Sequence, residues 1–334
     1  MAGRRRKKSG GRSYAWRYRG RIVACVFVEV IIICALVIMI GWNKGVKEWF
    51  EQFEQPVLKE VDISGINSPN AILMQARGGK ILGEINGEAQ IYPASMTKIM
   101  TVILGIENFD DLDEKITLTN EMFTGLYEQD ATQAGFQPGE EVRVIDLLYG
   151  AMLPSGAECC IALADTISGS EADFAELMNK KARKLGMENT NFCDSTGLHN
   201  PDHYSTVKDI AVLMKYCIKN DTFREIVETS RHSTGVTNIH PDGITYYSTM
   251  FKNLSDPTVT GGKILGGKTG YTSEAGHCLV SFAEIEGREY IFVSAGASGA
   301  DGNTIPHIQD AVTVYNRVGA AIEAKIGQLI FLRL

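Results

Sequence analysis

Apolar residues fall along this chain in two rhythms, and where the rhythm changes the elements can be read. Residues 71–76 and 81–85 are short, strand-like apolar runs on either side of Arg77-Gly78-Gly79-Lys80, which predicts a hairpin with a glycine turn. After Pro93, the positions Ile99, Met100, Val102, Ile103 and Leu104 lie all round a helix, as a buried helix requires. Residues 141–145 alternate like a short strand, 146–153 predict a helix halted by Pro154, and 158–167 predict another apolar helix. Ser155 and Gly156 therefore sit in a helix-to-helix corner. Residues 171–185 are amphipathic and end at Gly186, a good C-terminal cap, and Thr206 with Asp209 has cap spacing at the head of a helix reaching about Lys219. A segment around Lys268, then residues 278–285 and 289–296 around Glu286-Gly287, predict successive antiparallel strands, and residues 306–324 return to helical period. There is no repeat and no second set of elements, so residues 63–334 are expected to form one α+β unit with an antiparallel sheet flanked by helices.

The first 62 residues read differently. Residues 22–42 are apolar apart from Glu29 and Gly41, long enough at about 1.5 Å per residue to cross a hydrocarbon core of roughly 30 Å. The run is longer than a signal peptide's core and lacks a small-residue cleavage pattern, so an uncleaved membrane anchor is expected. Residues 1–21 hold nine Arg or Lys and no acid, which places them in the cytoplasm and everything beyond Trp42 outside the cell. Residues 43–62, with Trp49, Phe50 and Phe53 among Lys and Glu, read as a juxtamembrane linker. Taking those nine charges from the formal net charge of −7 leaves the remainder at −16, and so acidic a body argues against nucleic acid as a partner. Six histidines form no H-E-x-x-H pattern and seven cysteines no zinc spacing, so neither metal nor cofactor is expected. The adjacent Cys159 and Cys160 read as small core residues.

Three strings carry candidate chemistry: Ser95-Met96-Thr97-Lys98, Ser155-Gly156-Ala157 and Lys268-Thr269-Gly270. A serine hydroxyl needs a base within hydrogen-bond reach, and three residues along a helix puts Lys98 on the same face as Ser95. Lys98 serves as that base only if burial or a neighbouring cation destabilises its ammonium, and Lys268 is such a cation. Ser155 is placed to relay a proton to the leaving group. The N–H groups of Ser95 and Tyr271 are candidates for an oxyanion hole, and Gly270 is expected to leave room for substrate along the strand. Catalytic candidates are thus Ser95, Lys98 and Ser155; substrate-binding candidates are Lys268, Thr269, Gly270 and Tyr271. S-x-x-K alone is a weak signal, because Ser205-Thr206-Val207-Lys208 repeats it. The second copy reads as a helix start, and only the first is followed by the other two strings in order.

In these strings the chain resembles the serine-type D-Ala-D-Ala carboxypeptidases, low-molecular-weight penicillin-binding proteins with the β-lactamase-like fold. The likeness extends from about residue 71 to 320 and includes Ser195-Thr196-Gly197-Leu198, His203-Tyr204-Ser205-Thr206 with Asp209, and Gly267-Lys268-Thr269-Gly270-Tyr271-Thr272. It implies an exported enzyme that removes the terminal D-alanine of peptidoglycan stem peptides through a Ser95 acyl-enzyme and is acylated by β-lactam antibiotics. Two departures stand out. Ala157 occupies the place where the family usually carries asparagine, with Glu158 beside it reading as a surface charge, and residues 298–305 lack an arginine that some relatives use to hold the substrate carboxylate, leaving His307 as a substitute. A serine β-lactamase and a weakened penicillin-binding sensor are the alternatives. The His203 signature and the lack of a clear deacylation glutamate favour the carboxypeptidase.

Overall fold

The structure, a computed structural model, describes residues 58–254, 256–299 and 305–331. The expected cytoplasmic stretch and anchor, residues 1–21 and 22–42, and most of the linker lie outside these. Among the described residues no helix is long and apolar enough to cross a membrane.

In chain order the strands are β1 (Asn70–Gln75), β2 (Ile81–Ile85), β3 (Lys115–Thr117), β4 (Glu141–Arg143), β5 (Arg231–Ser233), β6 (Thr245–Tyr247), β7 (Thr258–Val259), β8 (Gly262–Thr272), β9 (Gly276–Ile285) and β10 (Arg288–Ala297). The helices are α1 (Lys98–Asn108), α2 (Val144–Met152), α3 (Ala157–Ser168), α4 (Glu171–Leu185), α5 (Val207–Cys217), α6 (Asp221–Glu228), α7 (Thr249–Asn253) and α8 (Pro306–Phe331). A tight 3-10 turn, Ala94–Thr97, leads into α1.

One antiparallel sheet in the order β2-β1-β10-β9-β8-β7 organises the fold. Because alternate residues of a strand face opposite ways, β1 sends Ile72 and Met74 into the larger core beneath α1 to α6, and Ala71 and Leu73 into a second core under α8. Covering both faces explains why β9 and β10 read as nearly continuous apolar runs. The hairpin, the three antiparallel strands and the helices at 171–185 and 207–217 form where the pattern expected them, with Gly186 left-handed at φ 81° and Thr206 Oγ1 accepting from Asp209 N–H. Leu58 and Val61, read as linker, are buried in the second core, and Val61 N–H donates to Leu82 O at 2.7 Å. The last helix runs past Ala324 to Phe331, since no proline or cap stops it.

β7 pairs with β8 only through Thr258 and Val259, opposite Lys263 and Gly262. On the edge away from β9, the far half of β8, which carries Lys268 to Tyr271, therefore has no strand beside it and meets the Ala94–Thr97 turn.

Candidate active site

The cleft is built where that free half of β8 meets the start of α1. Its volume is about 770 Å³, and its walls include Ser95, Ser155, Thr269, Gly270, Tyr271 and Thr249. Ser95 sits in the 3-10 turn just after Ala94, whose φ of 47° is left-handed and strained for a residue with a side chain. N–H groups in a first helical turn have no partner within the helix, so that of Ser95 is available to a substrate oxygen.

Gly270 explains how β8 approaches so closely. A Cβ there would lie 2.9 Å from Ser95 N, 3.1 Å from Ala94 Cβ and 3.2 Å from Pro93 O. The turn that bears Ser95 thus itself requires glycine at this position.

Lys98 opens α1 with 3% of its surface exposed, and its Nζ lies 3.0 Å from Ser95 Oγ while donating to Thr196 O at 2.7 Å. Burial lowers its pKa, and Cys160, Asp194, Glu158 and Cys159 only partly oppose this. Lys268 is also buried. Its Nζ donates to Ser155 Oγ and to Thr269 O, each at 2.9 Å, and burial together with the charge of Lys98 pushes its pKa well down. Burial of both amines, with the charge of Lys98 acting on Lys268, therefore disfavours charging both lysines at once, and the Lys98 amine lies within hydrogen-bond reach of the Ser95 hydroxyl. Ser155 takes a left-handed φ of 76° between Pro154 and Gly156, a strain of about 1–3 kcal/mol that aims its hydroxyl at Lys268. Thr269 Oγ1 lies 2.7 Å from Thr249 Oγ1, and the Tyr271 side chain is exposed at the rim.

Thus Ser95 and Lys98 form one direct pair and Ser155 and Lys268 a second, with both serines lining one cleft and both lysines buried behind them. The neighbouring thiols do not compete as nucleophiles, since burial pushes Cys160 up to about 12 and Cys159 well above its ordinary value.

Two readings from sequence are corrected. Glu158 is fully buried: its Oε1 accepts from Ala134 N–H at 2.6 Å and Gly135 N–H at 2.9 Å, and burial raises its pKa against those bonds. Together with Ala157 N–H, which donates to Thr132 O at 2.8 Å, it ties the loop bearing Thr132 to the Ser155 corner. His307 is no cationic substitute for arginine. It is buried, its ring stacks on His277 with centroids 5.0 Å apart, and burial pushes its pKa down to about 4, so it is neutral at pH 7.

Other groups had no sequence signal. Thr249 and Asn253 come from a five-residue helix too short to show a period, and the Thr196 contact is a backbone carbonyl.

Residues 57–299 match the D-alanyl-D-alanine carboxypeptidase family, peptidase S11. The chain belongs to this family. Among the curated members it is 35% identical over 233 residues to the D-alanyl-D-alanine carboxypeptidase DacF of Bacillus subtilis (strain 168), covering 69% of this chain and 57% of that protein. To DacC of Escherichia coli (strain K12) it is 33% identical over 262 residues, with 71% and 58% covered. The chain thus spans less than two thirds of the length of either. The D-alanyl-D-alanine carboxypeptidase of Streptomyces sp. (strain K15) is 34% identical over 236 residues, 68% of this chain and 78% of that one. The crystal structure of the Streptomyces K15 DD-transpeptidase superposes with a TM-score of 0.68 at 29% identity, covering 78% of this chain and all of that one. The α+β DD-peptidase fold of the family is therefore the fold seen here.

Proposed function

We propose that the protein is a serine D-alanyl-D-alanine carboxypeptidase acting on peptidoglycan stem peptides. The observation that carries this is the buried Lys98 amine within 3.0 Å of Ser95 Oγ, in a cleft that Ser95 shares with Ser155, itself hydrogen-bonded to Lys268. Ser95 Oγ attacks the carbonyl of the terminal D-Ala-D-Ala bond as its proton passes to Lys98. The N–H groups of Ser95 and Tyr271 receive the developing oxyanion. Ser155, hydrogen-bonded to Lys268, hands a proton to the leaving nitrogen while the proton taken up by Lys98 makes good the loss at Ser155, so free D-alanine departs, the ester stays on Ser95 and Lys98 is neutral again. Water then adds to the ester with Lys98 again taking a proton, and the shortened peptide leaves with Ser95 restored.

β-Lactam antibiotics, whose amide lies in a strained ring, acylate the same oxygen without losing a leaving group. Residues 22–42 are proposed to anchor the enzyme in the cell membrane, with residues 1–21 cytoplasmic and the catalytic unit outside. Their apolar length and the nine flanking basic residues support this.

The test is release of D-alanine from a synthetic stem pentapeptide by the full chain. Stoichiometric shortening of the peptide supports the proposal. Transfer of the acyl group to an added amine in place of water would favour a transpeptidase, the name borne by the Streptomyces K15 structure. Absence of either product, with correctly folded protein, would contradict both.

A further inference from the structure

Beneath the cleft lies a buried hydrogen-bond relay that the mechanism above does not use. Asp194 Oδ1 accepts from Thr196 N–H at 2.8 Å, Thr196 Oγ1 at 2.7 Å and Gly197 N–H at 2.6 Å, which shapes the turn whose Thr196 carbonyl receives Lys98. Its Oδ2 lies 3.0 Å from His203 Nδ1, and His203 Nε2 lies 2.9 Å from Thr97 Oγ1. Cys193 N–H also reaches His203 Nδ1 at 3.2 Å; with the ring proton on Nδ1 toward the carboxylate, Nε2 accepts the Thr97 hydroxyl, and in the other tautomer Nε2–H donates to Thr97 Oγ1. Thr97 and His203 are nearly inaccessible, at 0% and 2% exposure, so this path touches no substrate.

One arm ends on Lys98 and the other on Thr97, its neighbour in the chain. Thr97 stands between Ser95 and Lys98 in the chain, and the loop and the turn are in direct contact: a Cβ on left-handed Gly197 would lie 1.9 Å from Ala94 O and 2.8 Å from Thr97 Oγ1. Thr101 Oγ1 of α1 donates to Ser195 O at 2.6 Å, so the loop is also fastened to the helix that Lys98 begins. A neutral amine has two N–H bonds and one lone pair. Giving one N–H to Thr196 O restricts where the lone pair points, and Ser95 Oγ lies in its reach.

We propose that Asp194 is a positioning residue for the Ser95–Lys98 pair, acting through the Thr196 carbonyl on one carboxylate oxygen and through His203 and Thr97 on the other. The proposal rests on Lys98 being the base for Ser95. Burial alone would raise the Asp194 pKa, but the hydrogen bonds from His203, Thr196 and Gly197 outweigh it and hold the carboxyl down at about 2, so the relay carries a fixed negative charge at working pH. The charged or titratable groups around Lys98 are Glu158, Cys159 and Cys160 from α3, Lys268 from β8 and Asp194 itself. Of these Asp194 is a fixed anion that favours the Lys98 ammonium, and removing it lets the amine stay free at lower pH.

The experiment measures benzylpenicillin acylation of the full chain against pH for the wild type, Asp194→Asn, Thr97→Val and Thr97→Ser. Asp194→Asn is expected to slow acylation about tenfold to a hundredfold and to move the acid limb of the profile to lower pH. Thr97→Val is expected to cost about threefold to tenfold, with Thr97→Ser recovering most of it. A uniform loss with an unmoved acid limb would overturn the proposal, because a residue that merely held the fold would act that way. If Asp194→Asn does not fold, the threonine pair decides: equal rates for Val and Ser overturn the proposal, and recovery by Ser upholds it. A wild type that is not acylated would overturn the reading of the site itself, whereas an acylated wild type with unchanged variants would overturn only the role of Asp194.

Discussion

The same four-residue spacing occurs twice in this chain, at Ser95 to Lys98 and at Ser205 to Lys208, with opposite outcomes. In the first, the serine borders the cleft and the lysine is buried behind it, amine against hydroxyl. In the second the burial is reversed. Ser205 has no exposed surface and its Oγ lies 2.8 Å from Thr190 Oγ1, while Lys208 reaches outward to pair with Glu88. A hydrogen-bonded partner raises the pKa of Lys208, whereas burial lowers that of Lys98. Spacing brings a lysine near a serine, but only the surroundings decide whether it becomes a base or a surface cation.

That contrast is open to direct attack. Ser95→Ala is expected to cut D-alanine release by at least about a thousandfold, whereas Ser205→Ala leaves it within about twofold, since only the first removes a nucleophile. Lys98→Met is expected to cost about a hundredfold to ten-thousandfold in acylation rate, measured with a fluorescent penicillin, and Lys208→Met to leave that rate unchanged. Next comes the loop clamp at Glu158. Glu158→Ala leaves the N–H groups of Ala134 and Gly135 without their carboxylate and is expected to lower stability in urea by about 1–3 kcal/mol, with a smaller loss of acylation as the Ser155 corner loosens. The last effect concerns acid. The folded Asp194 pKa of about 2 lies below the usual 3.8, so the relay's contribution is complete above 3.8 and is lost as pH falls through about 2. Urea titrations across that window should show about 2 kcal/mol less of acid-dependent loss in Asp194→Asn than in the wild type.

How much of this was legible beforehand follows from what sequence patterns report. The sheet strands and long helices were legible because their apolar residues repeat with a period, and the order of three strings singled out Ser95, Lys98, Ser155 and Lys268. The Lys98 contact to Thr196 was not, since any residue type presents a carbonyl. Glu158 misled because a charge in a helix's first turn is usually solvated; the signal against it was its place in a helix otherwise made of Ala, Cys, Ile and Leu. His307 stood at the position expected of a charge, and only packing against His277 showed why it stays neutral. Gly270 was expected to leave room for substrate, and the packing of the Ser95 turn against it had no sequence signal.

The central claim is that Ser95, and not its twin at Ser205, is the nucleophile. It is tested most directly by the intact mass of the full chain over time with benzylpenicillin, followed by peptide mapping of the adduct. The account predicts one penicilloyl group per chain, on the peptide bearing Ser95, and none in Ser95→Ala. An adduct on Ser205 or another residue, or persistent labelling of Ser95→Ala, would contradict it.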